Sequence, residues 1–441
     1  MNPENLFLAA LSAYRRGARR TPGIYCERAL HDDRLNDELR VRLGHLFLTA
    51  TELWWFNNSL SAGTGELVAT TLAAAERTDD PALLAMAHCV RGRYLLTTEG
   101  LREAVAAFGV AVEFAEASPS VLARLEALSD LGHHSIGLDM PRGVAVLRQA
   151  AAQGGNGRQI PSAELPLVQT MQARLPGLIG VAAYDDGRFG EAEQSLRRSV
   201  AELQQLRAWD QFSSISNYFG QLLTEMGRFE EAENVLRASL EPLYVHADLT
   251  TSQGYNLGLL GKLYLEWGRV EDAGHNIMAG WDRLLETRHP SVLPILRNYL
   301  GEFLMHPANP RQDINRAAAL FDETITECRH SGFQRSEIAA LSLHALADLR
   351  SGELQTALAM SALATERLLA VGTMPALRTE EVFITRYKVL RKAGADEEAA
   401  DWLYRAREVL NAKAATIPSP ALRQEFLTGT PLSRYIVAPD D

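Results

Sequence analysis

The 441 residues carry 44 Lys and Arg against 55 Asp and Glu, a net charge of −11, and 46% of them are hydrophobic while only 7% are aromatic. With 62 Ala, 65 Leu and few β-branched or aromatic residues, the composition favours helix throughout and argues against a mainly strand fold. The acidic balance also argues against nucleic acid and anionic membranes as partners, because both need a basic field that displaces counterions from phosphate.

The chain opens Met1-Asn2-Pro3-Glu4 without a charged-then-apolar signal pattern, and no apolar stretch nears the ~18 residues of a membrane span. The expectation is a cytoplasmic protein. Residues 1–58 read as a degenerate N-terminal region of two or three helices that ends in Trp54-Trp55-Phe56-Asn57-Asn58-Ser59. Arg15, Arg16, Arg19 and Arg20 form the one basic knot, and Glu4, Glu27, Asp32 and Asp33 nearby favour a solvated face over the alternative, a docking site for an acidic partner. Cys26, Cys89 and Cys328 lie far apart in helical stretches and supply neither a disulfide framework nor a CxxC metal pair.

Residues 59–152 hold two loose helical repeats, with a pause at Met140-Pro141-Arg142-Gly143. The adjacent His133 and His134 would point their rings about 100° apart on a helix, so they cannot chelate one metal as an i, i+4 pair could. Residues 153–166, with Gly154-Gly155-Asn156-Gly157 and then Pro161 and Pro166, cannot form a continuous helix and are placed to hinge two halves of the chain.

Residues 167–415 form a clearer array. GRFGEAE at 187–193, GRFEEAE at 227–233 and GRVEDAG at 268–274 recur at spacings of 40 and 41 residues, with weaker copies at Gly100, Gly352 and Gly394. Gly suits the left-handed residue after a helix, and the acidic residues that follow suit the next helix N-terminus. Gly180 precedes Ala192, Gly220 precedes Ala232, Gly261 precedes Ala273 and Ala345 precedes Ala357, each by 12 residues, as two closely approaching helices of a hairpin require. Two departures occur: Tyr387 replaces the small residue opposite Ala399, and the insert His306-Pro307-Ala308-Asn309-Pro310 stretches the Gly301 to Ala317 spacing to 16.

This pattern resembles the tetratricopeptide repeat, whose helix-turn-helix unit carries a small residue on helix A, a Gly near the turn and an Ala on helix B. The resemblance covers residues 166–410 well and 60–150 loosely, and it implies an all-α, right-handed superhelical solenoid of about eight helical hairpins. A period near 40 instead of about 34 adds nearly one turn to each hairpin helix. Such long repeats resemble the C-terminal sensor and scaffold halves of bacterial maltose-regulator-like, LuxR-type and adenylate-cyclase-associated ATPase regulators, as does the tail Ile417-Pro418-Ser419-Pro420 to Leu427. Residues 416–441 should cap the solenoid by folding over its last helix pair.

No catalytic, cofactor or metal-ligating constellation is present in the sequence. Gly258-Leu259-Leu260-Gly261-Lys262-Leu263 misplaces the first Gly of a phosphate loop and puts Leu263 where Ser or Thr must hold magnesium. The serines form no GxSxG elbow, and no HExxH occurs. The chain is therefore expected not to be an enzyme.

The A helices carry the recurring polar set. Ser216-Asn217-Tyr218-Phe219-Gly220-Gln221 parallels Arg297-Asn298-Tyr299-Leu300-Gly301-Glu302, and the repeat between them offers Tyr255, Asn256 and Lys262. In tetratricopeptide superhelices the A helices line the concave surface; the resemblance therefore implies that Asn217, Tyr218, Gln221, Tyr255, Lys262, Asn298, Tyr299 and Glu302 face a partner-binding groove. The alternative is that the Asn and Tyr side chains brace neighbouring repeats. Lys262 and Arg174 are offset by Glu225, Glu266 and Asp185, so the expected partner is a neutral or basic protein or peptide segment, not a carboxylate tail. The alternative function is sensing of a small ligand in a pocket closed by the 150–166 hinge.

Overall fold

The computed structural model describes all residues except 1, 16–17, 19, 33, 53–62, 154–159, 162–163, 246–249, 373–376 and 440–441. The Trp54–Ser59 stretch, the glycines of the proposed hinge and Arg16 and Arg19 of the basic knot lie outside the described residues. Among the described residues there is no strand, and no helix is long and apolar enough to cross a membrane.

The first eight helices are α1 (Pro3–Arg15), α2 (Arg20–Leu30), α3 (Asp37–Phe47), α4 (Thr64–Thr78), α5 (Pro81–Thr98), α6 (Leu101–Ala117), α7 (Val121–Ser135) and α8 (Met140–Gln153). Long paired helices follow: α9 (Leu165–Asp185), α10 (Phe189–Gln205), α11 (Trp209–Glu225), α12 (Phe229–Val245), α13 (Thr250–Trp267), α14 (Val270–Thr287), α15 (Leu293–Met305) and α16 (Ile314–Ser331). The chain continues through α17 (Gln334–Ser351), α18 (Leu354–Val371), α19 (Thr379–Ala393), α20 (Asp396–Ala415), α21 (Pro420–Gly429) and α22 (Pro431–Val437). It divides into unit 1, residues 1–182, 195–215 and 241–252, and unit 2, residues 183–194, 216–240 and 253–441.

In unit 1 the starts of helices are set by local chemistry. Asn36 caps α3 by accepting from the Leu39 amide at 2.8 Å, and Asp80 caps α5 at Ala82 with Pro81 at the first helical position. Leu6, Ala10, Leu11, Cys26 and Leu43 bury one face of α1 to α3. Small residues then let α5, α6 and α7 approach closely: Ala85, Ala111, Ala115, Ala123 and Ala127 are all essentially inaccessible.

The turn chemistry follows the sequence expectation. Gly187, Gly227 and Gly268 adopt φ of 74°, 78° and 81°, the left-handed region that a side chain would strain. At Gly261 the helices approach as expected, since an added Cβ would stand 3.1 Å from the Ala273 carbonyl oxygen, but the nearest contacts of the helix A glycines are with larger side chains one turn further on. A Cβ on Gly180 would stand 2.9 Å from Leu196, on Gly220 2.6 Å from Leu236, on Gly261 2.3 Å from Ile277 and on Gly301 2.4 Å from Phe321. Each partner lies four residues beyond the paired Ala. Helical side chains lean toward their own N-terminus, so the larger residue one turn later folds back over the alanine level and takes up the space that the glycine leaves.

The C-terminal segment covers more than the last hairpin. α21 and α22 pack on α20, Arg407 donates to the Ile436 carbonyl at 2.9 Å, and the Tyr435 ring lies tilted against Tyr387 with centroids 6.3 Å apart. Within unit 2 the same segment also reaches back to the start of α10: Phe426 meets Phe189 edge to face, and the Thr416 hydroxyl accepts from the Phe189 amide at 2.9 Å. Phe189 is fully buried and presents an apolar face that Phe426 completes.

Candidate functional site

The first helices of successive hairpins, α11, α13, α15, α17 and α19, converge on one cavity of about 110 Å³ inside unit 2. Their periodic apolar faces bury Leu222, Leu263, Leu300, Leu341 and Leu390, which turns the intervening polar positions inward. Gln221, Lys262, Asn298, Tyr299 and Glu302 line this cavity together.

The remaining three residues of the expected set sit differently. Asn217 is 1% exposed, and its Oδ1 accepts from Asn256 Nδ2 at 2.9 Å while Asn256 also donates to Ser239 Oγ at 2.6 Å. It joins α11, α12 and α13 as a brace. Tyr255 is buried, and Tyr218 is half-buried near Tyr255 and Arg335 without forming part of the cavity wall. Asn298 combines both roles: it borders the cavity and donates to the Ser336 carbonyl at 3.1 Å, tying α15 to α17.

Most charges here are consumed by one another. Lys262 pairs with Glu266 at 3.0 Å and with Glu302; Arg378, which precedes α19, pairs with Glu266 at 3.0 Å. Lys413 pairs with Glu225 at 2.6 Å and with Glu380 at 2.8 Å, and the Tyr184 hydroxyl donates to Glu225 at 2.9 Å. Burial alone would raise the Glu266 carboxyl, but Arg378 and Lys262 outweigh it and hold it down at about 2. Burial wins at Glu302 and Glu380, whose carboxyls are pushed up.

Two charged residues on the wall stand apart from this network. Arg335 makes no hydrogen bond or ion pair with any described residue, and the groups in its electrostatic reach are Tyr184, Tyr218, Tyr255 and Tyr299. Burial pushes the Tyr218 and Tyr299 phenols up, so near neutral pH they stay uncharged and offer Arg335 no anion. Glu381 likewise has no ion-pair contact among the described residues, although Lys262 and Arg378 act on it at longer range.

Sequence comparison of the repeats misses Arg335, because it lies ten residues before Ala345, outside the positions flanking the small residue. A physical signal was available: Arg335 is the second residue of α17, where the helix dipole disfavours a cation. Arg378 and Glu381 were invisible for another reason, since they belong to the repeat whose small residue is replaced by Tyr387. Among the described residues no group of three or more His, Cys, Asp or Glu is placed to hold a metal ion.

No family model matches the chain, and no curated protein matches it either. Solved structures do. A Rap protein complexed with Competence and Sporulation Factor matches at TM-score 0.55 and 12% identity, covering 94% of this chain and 98% of that one. A Rap conjugation gene regulator of a plasmid, in complex with a peptide, matches at TM-score 0.52 and 13% identity over 84% of this chain and 96% of that one. A signal transduction ATPase from Pyrococcus horikoshii with a tetratricopeptide repeat sensor matches at TM-score 0.50 and 12% identity, covering 91% of this chain but 57% of that one. The fold is an all-α helical solenoid of the tetratricopeptide type.

Proposed function

We propose that the chain is a non-enzymatic regulatory module that binds an extended peptide in the cavity of unit 2. The observation that carries this reading is Arg335: a guanidinium with no partner among the described residues, on a wall where the other two cations, Lys262 and Arg378, are neutralised by carboxylates. Arg335 is half-buried, and a ligand acid group would give it the charge-assisted hydrogen bonds that no described residue supplies. Glu381, the free carboxylate on the same wall, is suited to a basic group. A segment that is neutral overall, with one acid and one basic group, fits both. Tyr299 and Asn298 supply an aromatic face and a backbone-matching amide beside them. The Rap structures in complex with a peptide or with Competence and Sporulation Factor support a ligand of that kind for the shared fold.

The reading differs from the sequence expectation in two respects: an acid group of the ligand, which that expectation set aside, becomes an anchor, and a different cation takes it. Lys262 is not available to a ligand, since Glu266 and Glu302 hold it, and the usable cation comes instead from Arg335. The test is retention of synthetic hexapeptide pools by the immobilised full chain, one pool with free C-termini and one amidated. Wild type should retain members of the free-acid pool that Arg335→Met releases. Equal retention by the two proteins, or no retention by wild type, overturns the proposal.

A further inference from the structure

Unit 1 contains a second and larger cavity, about 250 Å³, with a different chemical character. Leu11, Leu46, Met86, Leu122 and Met171 give it an apolar wall. On the polar side Arg93 is fully engaged: Nε donates to Asp130 at 2.9 Å, Nη1 to Thr49 at 2.9 Å and Nη2 to Glu126 at 2.6 Å. His45 Nε2 lies 2.8 Å from the same Glu126. Both carboxylates are therefore spent on Arg93 and His45.

Arg174 borders the same cavity and receives nothing from them. It makes no hydrogen bond or ion pair with any described residue, and its Nε is shut off from solvent. The charges that act on it are Asp130 and Glu126, already committed, and the like charge of Arg93. Arg15, on the same wall, has Nε and Nη2 shielded and without a partner among the described residues. Burial and then the nearby Arg174 hold the His133 imidazole down to about 3, so it is neutral, and its shielded Nδ1 also lacks a partner. Two guanidiniums with shielded nitrogens beside an apolar wall are unfavourable for the folded chain alone, because a shielded N–H donor without an acceptor forfeits its hydration.

We propose that the cavity of unit 1 is a binding site for a small organic anion with an apolar body, its acid group taken by Arg174, with Arg15 as the second cation on the wall. The apolar side chains accommodate the body of the ligand, and His133 offers one further polar contact. Glu164 and Pro166 also border this cavity.

The test uses the full chain and two fluorescent probes of similar shape, anionic 1-anilinonaphthalene-8-sulfonate and neutral N-phenyl-1-naphthylamine. Wild type should bind the anionic probe, and decanoate should displace it where 1-decanol does not. Arg174→Met should weaken the anionic probe by at least about tenfold while leaving the neutral probe in place, since a charge-assisted contact is lost and the apolar wall is kept. Arg198→Met removes an equal charge from an exposed position of unit 1 and should change neither. The thermal midpoint of Arg174→Met without ligand should be equal to or above that of wild type, because a half-buried charge whose shielded Nε has no partner among the described residues has been removed. Unchanged anion binding in Arg174→Met, absence of binding to wild type, or a fall of its midpoint by several degrees overturns the proposal; the last would make Arg174 a structural brace.

Discussion

Lys413, near the end of α20, places its Nζ 2.6 Å from Glu225 on α11, so two groups 188 residues apart in sequence form one buried ion pair within unit 2. The same ammonium reaches Glu380 at 2.8 Å and lies 5.3 Å from the centroid of the Phe189 ring. Three helices, α11, α19 and α20, are thereby held at one point.

Removing that cation should be severe. Lys413→Met leaves Glu380 buried without its counter-charge and Glu225 with only Arg378, 3.8 Å away and shared with Glu266, which is expected to destabilise the protein by about 3–5 kcal/mol in chemical denaturation. Adding Glu225→Gln to Lys413→Met should recover part of the loss, because one of the stranded charges goes with it. A single Lys413→Met variant with unchanged stability would contradict the pairing.

Acid should weaken unit 2 through Glu266. Its carboxyl is lowered from the ordinary 4.5 to about 2, so its contribution is present in full above the unfolded value and is lost as pH falls toward 2. The amount is of order 3 kcal/mol for a shift of this size. Glu302 and Glu380, whose carboxyls burial has raised, act in the opposite direction and become less unfavourable on protonation. Denaturant midpoints between pH 5 and pH 2 should therefore fall less steeply for Glu266→Gln than for wild type.

The hairpin geometry makes a sharper test than composition does. In Gly261→Leu the new Cβ would lie 2.3 Å from Ile277 Cγ1 and 3.0 Å from the Ile277 backbone nitrogen, and backbone cannot step aside as a side-chain tip can. Overpacking of about 1–3 kcal/mol or more is expected, read as a lower thermal midpoint, with exposed Glu230→Ala as the neutral control.

Bracing and lining residues should separate in paired measurements. Asn256→Ala withdraws the donor from Asn217 Oδ1 and Ser239 Oγ and should cost about 1–3 kcal/mol of stability. Tyr299→Ala opens the cavity wall and should reduce retention of free-acid hexapeptides with a smaller change in midpoint than Asn256→Ala shows. The reverse ranking would place the peptide surface elsewhere.

Local features of this chain were legible because short-range rules govern them. The turn glycines at 187, 227 and 268 take positive φ, and helices start where Asn36 and Asp80 can cap them, since each depends only on neighbouring residues. The placement of Gln221, Lys262, Asn298, Tyr299 and Glu302 on one cavity follows from repeat register, another periodic property. What the tertiary structure alone decided is which charges cancel. Lys262 is spent on Glu266 and Glu302, and Lys413 on Glu225 and Glu380, whereas Arg335 and Arg174 are left without an acceptor among the described residues. A charged side chain gains its partner, or fails to, within about 4 Å, and helices distant in sequence bring those few ångströms about only after packing.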